Sequence, residues 1–488
     1  MTDTTQTPEP IWQDAISLCR DLQSGVVTAT TIMDNVYARI EAFNPKLNAI
    51  VNLLDYDAAM ELARSADSVP IAERGILHGL PMALKDAVAM KGFPTTWGFK
   101  PFADRIETMD DGLAARLRKA GAIFIGHTNM PEFGFGSSTF NSLFGTTLNP
   151  YDTSKTAGGS SGGAAVALAC QMLPLADGSD LGGSLRNPAS FCNVVGFRPS
   201  IGRMPFNKNF AWYGRMVTTG PMAKTVKDTT LLFAAMAGPD ANDPLTLPEP
   251  GHHFFDGLIA TREPNTLNIA MSTDLGCLEI DKEVAGIIQT AGEVFASLGA
   301  SVTADAPDLA GAMEVFQVQR AASLRPLGDS LEKNFPDWRI DAKDTAIWNI
   351  EKGAQLSADE IMQAEATRSK IYAQAVKFFQ HYDALILPAA QVPPFAASEE
   401  WVKEINGVEM QTYLDWMAVC CMITVTGLPA ISVPAGFTKS GLPVGVQIVG
   451  KPRGDLALLQ IAQLFEDATG YHKKHPVLLA LPLSGPEY

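Results

Sequence analysis

Apolar residues recur along much of the chain at the spacing of an amphipathic helix. Within 12–50, positions such as Ile32 and Val36 are four residues apart, which places them on one helical face. This segment predicts two helices, and Thr28 or Thr30 is suited to cap the second. Further helices are predicted at 58–66, 110–122, 223–237, 282–298, 358–379 and 455–468.

Short apolar runs bounded by Gly or Pro predict strands between these helices. The first run ends near Lys85 in GILHGLPMALKDAV, and the run IFIGHTN follows at 123–129. Later strands are predicted at 384–390, 430–437 and 444–450. Helices and strands alternate without a sequence repeat, so we predict one large α/β domain. The Pro-rich segment 239–266 predicts an exposed loop or a subdomain edge.

Composition excludes several functions. The 488-residue chain has 53 acidic and 37 basic residues, and its formal charge of −16 argues against a broad nucleic-acid-binding surface or attraction to an anionic membrane. No apolar run approaches the ~18–20 residues that cross a bilayer, and the start of the sequence lacks the pattern of a signal peptide. The six cysteines show no C-x-x-C spacing. We therefore expect a cytoplasmic protein with no cofactor or metal and with no nucleic-acid or membrane partner.

Glycine and serine are concentrated at 156–205, where the chain reads AGGSSGGAAVALAC and then ADGSDLGGSLRNPAS. The first run matches G-x-S-x-G, the nucleophile elbow of α/β-hydrolases, although Gly/Ser turns match this short pattern by chance. No Lys follows the glycines as a phosphate-binding loop requires, and they do not form G-x-G-x-x-G. The elbow therefore remains one alternative for this stretch.

Two residue pairs favour structural roles. Cys420 and Cys421 lie in the apolar run WMAVCCMITV and are expected to pack in the core. His252 and His253 lack the companion ligands of a metal site and are expected at the surface of a loop.

Three separated residues suggest a catalytic site: Lys85 in ALKD, Ser160 in GGSSGG and Ser184 in SDLGGSLR. These motifs, with the blocks AGAIFIGHTNMPEFGFGSS, TTGPMAKTVKDTTLL and GLPAISVPAGFTKSGLPVGVQIVG, resemble the amidase signature family of serine hydrolases. The resemblance implies a single α/β domain with a central mixed β-sheet covered by helices on both sides. Within 1–488, it implies N-terminal helices at 1–70, a signature core at 75–235, and the remaining helices and strands at 236–488.

The resemblance also implies a proton relay. In this family the lysine acts through the first serine of GGSSGG, which follows a cis peptide bond, so Lys85 would take the proton of Ser160. Ser160 would in turn take the proton of Ser184, the nucleophile. Because no histidine stands at the matched positions, the lysine must be neutral, with a pKa far below its usual ~10.4. The apolar runs on both sides of ALKD suit that requirement.

The family pattern assigns supporting residues as well. The backbone N–H groups expected to form an oxyanion hole belong to Leu181, Gly182, Gly183 and Ser184. Ser161 is expected to hydrogen-bond in support, and Asp180 and Arg186 are expected to hold the loop as an ion pair. The aromatic residues expected to line an apolar pocket are Phe133, Phe135, Phe144, Phe191, Trp212 and Tyr213.

The sequence departs from the family pattern at three positions. Ala157 stands where Pro is common, His127 where Lys is frequent, and Leu181 where Thr is common. None of these changes removes a catalytic group. Because the Leu181 side chain cannot form hydrogen bonds as Thr would, other groups are expected to supply the hydrogen bonds of this loop.

The expected activity is hydrolysis of a small amide, apolar or aryl, to a carboxylate and ammonia or an amine, and carbamates and esters undergo the same acyl transfer. The runner-up is the A subunit, a glutaminase, of a glutamyl-tRNA amidotransferase, whose expected basic segment and Tyr-rich helix are not found at 347–379. A non-catalytic ligand-binding homologue is the third alternative. Specificity is expected in variable loops at 205–220 and 310–350, and a homodimer is kept as one candidate assembly.

Overall fold

The computed structural model describes residues 14–206, 212, 215–258 and 262–480. The helices within these residues are α1 (Ala15–Ser24), α2 (Ala29–Leu47), α3 (Tyr56–Asp67), α4 (Gly112–Lys119), α5 (Gly162–Ala169), α6 (Arg186–Cys192), α7 (Val226–Met236), α8 (His252–Leu258), α9 (Lys282–Ser297), α10 (Ala312–Asn334), α11 (Trp338–Asp341), α12 (Asp344–Gln355), α13 (Ala358–Phe378), α14 (Ala418–Thr426) and α15 (Asp455–Thr469). The strands are β1 (Ile50–Val51), β2 (Pro81–Lys85), β3 (Ile123–Thr128), β4 (Phe140–Asn141), β5 (Gly145–Thr146), β6 (Leu175–Asp180), β7 (Val195–Arg198), β8 (Thr218–Ala223), β9 (Asn268–Met271), β10 (Ser301–Ala304), β11 (Ala384–Pro388), β12 (Glu404–Ile405), β13 (Val408–Glu409), β14 (Ala430–Phe437) and β15 (Pro443–Gly450).

The main sheet has eight strands in the order β10-β9-β11-β15-β14-β7-β8-β6. The pairs β10–β9 and β9–β11 are parallel and the other neighbours are antiparallel, so the sheet is mixed. A Cβ added to Gly445 of β15 would meet Ser190 of α6, whereas one added to Gly450 would meet Leu458 of α15. Residues five apart in a strand point to opposite faces. Helices therefore cover both faces, as predicted.

A second, three-stranded sheet has the order β1-β3-β2. The strand β2 runs parallel to β3, and Lys85 is its last residue. All five residues of β2 are buried, which agrees with its continuous apolar sequence.

Most buried apolar side chains form one continuous cluster from Ala15 in α1 to Phe465 in α15, as expected for a single domain. The finer division at residues 70 to 75 and 235 stays a prediction. Among the described helices, none combines the length and the apolar character that crossing a membrane requires.

The predicted helices at 282–298, 358–379 and 455–468 correspond closely to α9, α13 and α15. The Thr28 hydroxyl accepts the Thr31 N–H at 3.1 Å and caps α2, as one of the two suggested residues. Cys420 and Cys421 are fully buried in α14, which confirms their packing role.

Two predicted loops are partly wrong. The segment 310–350 is mostly helical and contains α10 and α11 with the start of α12. The segment 239–266 includes α8, which begins at His252 and buries Phe254 against Phe233. The helices α8 and α11 are short, while α10 contains Pro326 and buries the polar residues Gln319 and Arg320, so the sequence pattern did not separate them from loops.

The Gly-rich stretch also holds more regular structure than the sequence indicated. It contains the helices α5 and α6 and the strands β6 and β7. Every residue of α5 and of α6 is buried. Helices that are buried on all sides show no polar face, so their periodicity is weak.

Candidate active site

Three hydroxyl groups surround the amine of Lys85. Its Nζ lies 2.7 Å from Ser160 Oγ, 3.0 Å from Ser161 Oγ and 3.0 Å from Ser179 Oγ. Lys85 itself is 1% exposed. The end of β2, the loop before α5 and the strand β6 therefore converge on one buried amine.

Burial is the main cause of an unusual basicity at this amine. Removal from water disfavours the ammonium form and lowers the pKa of Lys85 to about 7, although the charges of Asp177 and Asp180 oppose the shift. A large fraction of the protein thus carries a neutral Lys85 near neutral pH. Such an amine can accept a proton, as general base catalysis requires.

The three hydroxyls can satisfy both protonation states of Lys85. An ammonium has three N–H donors, whereas a neutral amine has two N–H donors and one lone pair. The charged form can donate to all three serines. The neutral form can donate to two of them and accept a hydrogen bond from the third, which is the arrangement needed to take a serine proton.

The loop that carries Ser160 is fixed by its neighbours. The Gly159–Ser160 peptide bond is cis. The Ser137 hydroxyl donates to the Gly159 carbonyl and the Thr139 hydroxyl donates to the Gly158 carbonyl, both at 2.8 Å. A Cβ on Gly159 would lie 3.0 Å from the Ser137 backbone, so this close approach favours glycine.

Ser184 lies next to this loop, but its hydroxyl does not hydrogen-bond to the Ser160 hydroxyl. The Ser161 N–H donates to the Ser184 carbonyl at 3.3 Å, and the Ser184 side chain is nearly buried. Within the described ranges, no hydrogen bond connects the hydroxyls of Ser160 and Ser184. The structure thus brings Lys85 and Ser160 into contact and leaves the second link of the predicted relay open.

Three of the four predicted oxyanion-hole donors are available. Gly183 is not, because its N–H donates to Asp180 Oδ1 at 2.9 Å. In the part of the chain that the structure describes, the N–H groups of Leu181, Gly182 and Ser184 have no acceptor. They lie in the turn that leads into α6, where they can donate hydrogen bonds to a carbonyl oxygen that develops negative charge.

The predicted ion pair between Asp180 and Arg186 is present and fully buried. Arg186 Nε and Nη2 donate to the two Asp180 oxygens at 2.9 and 2.8 Å, a bidentate arrangement. Burial opposes the ionisation of Asp180, but the guanidinium groups of Arg186 and Arg198 and the Gly183 N–H hold its pKa well below the usual range. The carboxylate also supplies the hydrogen bonds that the Leu181 side chain cannot, since it accepts the Leu185 N–H at 3.2 Å.

Two of the six predicted pocket residues lie beside the site. Phe133 and Phe135 flank Gly134, and a Cβ on Gly134 would lie 3.5 Å from Ser160 Oγ. Both rings belong to a separate apolar cluster with Phe99 and with Trp338 of α11. This cluster connects the segment 133–135, which lies beside Ser160, to the helices α10–α12.

The other four pocket predictions are not supported by position. Phe191 lies in α6, where it is fully buried and stacks on Trp416. Phe144 follows β4, where its carbonyl accepts a hydrogen bond from Asn48. Trp212 is 75% exposed, and Tyr213 lies outside the described residues.

Sequence reasoning missed Ser179 and Asp177 of β6. Ser179 completes the trio of hydroxyls around Lys85 Nζ, and Asp177 Oδ1 accepts the Lys85 backbone N–H at 2.9 Å. Their spacing of two residues would place both on one face of a strand. That signal was available in LADGSD, but only if this Gly-containing segment was recognised as a strand.

Comparisons with known proteins identify similar sequences and similar folds. The chain matches the amidase family over residues 31–459. It is 33% identical to an acylamidase from Rhodococcus erythropolis over 95% of this chain and 97% of that protein. It is 31% identical to the A-type subunit of the glutamyl-tRNA(Gln) amidotransferase from Picosynechococcus sp., covering 92% of this chain and 97% of that protein. Its fold superposes on a bacterial aryl acylamidase of the amidase signature family with a TM-score of 0.88 and 28% identity, covering 97% of this chain and 99% of that one.

Proposed function

The chain belongs to the amidase family of amide-hydrolysing enzymes, and from this premise we propose that it cleaves a small aryl or apolar amide through an acyl-enzyme on Ser184. The observation that carries the proposal is the buried Lys85 amine, 2.7 Å from Ser160 Oγ. An amine in that position can accept a proton through the Ser160 hydroxyl, so no histidine is needed as the base.

The proposed reaction starts with a proton transfer. Neutral Lys85 takes the Ser160 proton while Ser160 takes the Ser184 proton, and Ser184 Oγ forms a bond to the amide carbon. The carbonyl oxygen becomes an oxyanion that the N–H groups of Leu181, Gly182 and Ser184 can bind. The C–N bond then breaks, and the leaving nitrogen receives its proton through Ser160.

The second half of the reaction uses the same groups. Water attacks the ester carbon, its proton passes through Ser160 to Lys85, and the carboxylate leaves as Ser184 regains a proton. The proposal requires the Ser160 and Ser184 hydroxyls to reach hydrogen-bond distance, ~2.5–3.0 Å, when substrate is bound. A change of serine rotamer can close such a gap, since catalytic hydrogen bonds often tighten only with substrate present.

The pKa of Lys85 predicts the pH dependence of the activity. Because only the neutral amine accepts a proton, the turnover rises as pH increases through about 7. This rise is the acidic limb of the pH–rate profile. The Asp180 carboxylate, whose pKa is held low by Arg186, stays ionised over that range and does not produce this limb.

The aromatic cluster beside Ser160 supports an aryl preference. The rings of Phe133 and Phe99 have centroids 4.8 Å apart, and Phe135 lies 6.4 Å from Phe133. Apolar and aromatic walls stabilise an aryl group by removing its surface from water. The similarity to an aryl acylamidase and to an acylamidase agrees with this substrate class.

A panel of anilide, primary amide, carbamate and ester substrates tests the proposed activity. We expect hydrolysis of 4-nitroacetanilide by the wild type and a loss of at least about 10³-fold in kcat for Ser184→Ala. Ser297→Ala, at an exposed serine of α9, is the matched control and should retain wild-type turnover. Equal turnover in Ser184→Ala and the control would reject the assignment of the nucleophile.

A second candidate is the glutaminase component of an amidotransferase, which the similarity to the Picosynechococcus protein favours. In that case the chain would copurify with partner subunits and would prefer glutamine to anilides. Purification of the chain alone, followed by parallel assays with glutamine and 4-nitroacetanilide, distinguishes the two functions. A ligand-binding homologue without activity would turn over neither substrate and would not react with a fluorophosphonate probe.

A further inference from the structure

Two side chains on one face of β6 hold Lys85 at both of its ends. Asp177 Oδ1 accepts the Lys85 backbone N–H at 2.9 Å, and Ser179 Oγ lies 3.0 Å from Lys85 Nζ. The strands β2 and β6 belong to different sheets. Asp177 therefore ties the end of the lysine-bearing strand to the strand that continues into the Ser184 turn.

The carboxyl group of Asp177 has an unusual environment. The residue is fully buried, and its second oxygen, Oδ2, has no hydrogen-bond partner among the described residues. No Lys, Arg or His in the described part of the chain forms an ion pair with it. A buried carboxyl group that only anchored a strand would be destabilising in its ionised form, since removal of a charge from water costs several kcal/mol.

We propose that Asp177 is a positioning residue whose backbone contact fixes Lys85 and whose ionisation sets the basicity of the Lys85 amine. The inference rests on the proposed role of Lys85 as the base. An ionised Asp177 stabilises the ammonium form and keeps the lysine protonated to higher pH, whereas a neutral side chain at 177 releases the amine at lower pH.

The pKa directions agree with this coupling. Burial raises the pKa of Asp177 to about 7, and the Lys85 N–H and the Lys85 charge partly oppose that shift. Burial lowers the pKa of Lys85 to about 7. Two groups that titrate over the same range and interact lose their protons as a pair, so the acidic limb of the activity belongs to both.

Other charged groups near the pair do not substitute for Asp177. Asp180 raises the pKa of Lys85, but its own charge is bound by Arg186 and Arg198. Because all three stay charged through the neutral range, they contribute a constant field.

The elements packed against β2 carry few groups that titrate near neutral pH. His127 of β3 has its pKa lowered to about 4 by burial and is neutral in this range. Burial raises the pKa of Asp86, the residue after Lys85, to about 6, although hydrogen bonds from Thr96 and Gly98 oppose the shift.

The helix α5 contains no ionisable residue, and Arg39 of α2 donates to the Cys170 and Gln171 carbonyls. Asp111, at the start of α4, raises the pKa of Asp177.

Asp177→Asn tests the proposal, because an amide oxygen can still accept the Lys85 N–H while the charge is removed. We measure the rate of reaction with a fluorophosphonate probe and the kcat/KM for 4-nitroacetanilide across pH. The acidic limb of both should move to lower pH by on the order of one unit relative to the wild type. Asp228→Asn is the matched control, since Asp228 is also buried and accepts a backbone N–H, from Ile16 of α1.

An unchanged limb in Asp177→Asn, with Asp228→Asn also unchanged, would overturn the electrostatic role. Asp177→Ala removes the acceptor as well, so we expect the same shift of the limb with an additional loss of kcat. The proposed function itself fails if the wild type does not react with the probe and shows no acidic limb that Lys85→Ala abolishes. That outcome is distinct from failure of the Asp177 proposal alone, in which the wild type shows the acidic limb and Asp177→Asn leaves it unchanged.

Discussion

At the Lys85 amine, burial and nearby negative charges shift the pKa in opposite directions. Burial favours the neutral form, while the charges of Asp177 and Asp180 favour the ammonium form. The balance places the pKa of Lys85 at about 7. A lysine with this pKa can release and regain a proton during each turnover near neutral pH, which an ordinary lysine with a pKa of ~10.4 cannot do readily.

Phe135 and Phe144 form a matched pair for testing the pocket, since only Phe135 belongs to the aromatic cluster beside Ser160. We expect Phe135→Ala to lower kcat/KM for 4-nitroacetanilide by at least about 10-fold. The ratio of anilide to acetamide hydrolysis should fall as well, which a general loss of folded enzyme would not produce. Phe144→Ala should leave the ratio unchanged, and equal ratios in the two variants would contradict the aryl pocket.

At the scale of elements, the site lies where two sheets meet. The strand β2 brings Lys85 from the small sheet, and β6 at the edge of the large sheet brings Asp177 and Ser179. The buried helices α5 and α6 begin directly after the two serine-bearing loops. Because these helices are packed on all sides, the loops before them are held in place.

The contact between α7 and α15 gives a test of packing away from the site. Glu466 of α15 is buried and accepts the Val226 N–H at 2.9 Å. Burial raises the pKa of Glu466 to about 8, above its unfolded value of ~4.3. The stabilising contribution is therefore present in full below ~4.3 and is lost as pH rises through about 8.

We accordingly expect the Tm of the wild type to fall more between about pH 5 and about pH 8 than the Tm of Glu466→Gln, by on the order of a few °C. The glutamine keeps an acceptor for the Val226 N–H and cannot ionise. Glu61→Gln, at an exposed glutamate paired with Arg64, is the control and should follow the wild type. Parallel Tm curves for wild type and Glu466→Gln would show that Glu466 does not carry this pH dependence.

At the scale of the whole molecule, the sequence predicted the α/β class, several of the long helices and the order of the motifs, but not the 23-residue helix α10. The helices α9, α13 and α15 each have one polar face, so their periodicity is visible in the sequence. The elements α5, α6 and β6 were missed because they are buried on nearly every side and contain glycine or lack a polar face. A pattern that depends on contrast between buried and exposed faces cannot detect them.

The same distinction applies to the site. Lys85, Ser160 and Ser184 could be proposed as site residues from the sequence because each lies in a motif with a characteristic order along the chain. Asp177 and Ser179 could not be proposed in this way, because their contacts with Lys85 depend on the approach of β6 to β2, which joins positions about 90 residues apart. The positions of the aromatic residues were predicted only in part, since nearness in sequence did not separate Phe191, which stacks on Trp416, from Phe135, which joins the cluster beside Ser160.

Mapping the covalent adduct of a fluorophosphonate probe by peptide mass spectrometry tests the central claim most directly. The wild type should carry one adduct, on Ser184, and Ser184→Ala should carry none. Lys85→Ala should form the same adduct far more slowly near neutral pH and recover part of the rate at high pH, where hydroxide replaces the missing base. An adduct on Ser160 or on any other residue, or labelling at the wild-type rate without Lys85, would contradict a relay from a neutral Lys85 through Ser160 to Ser184.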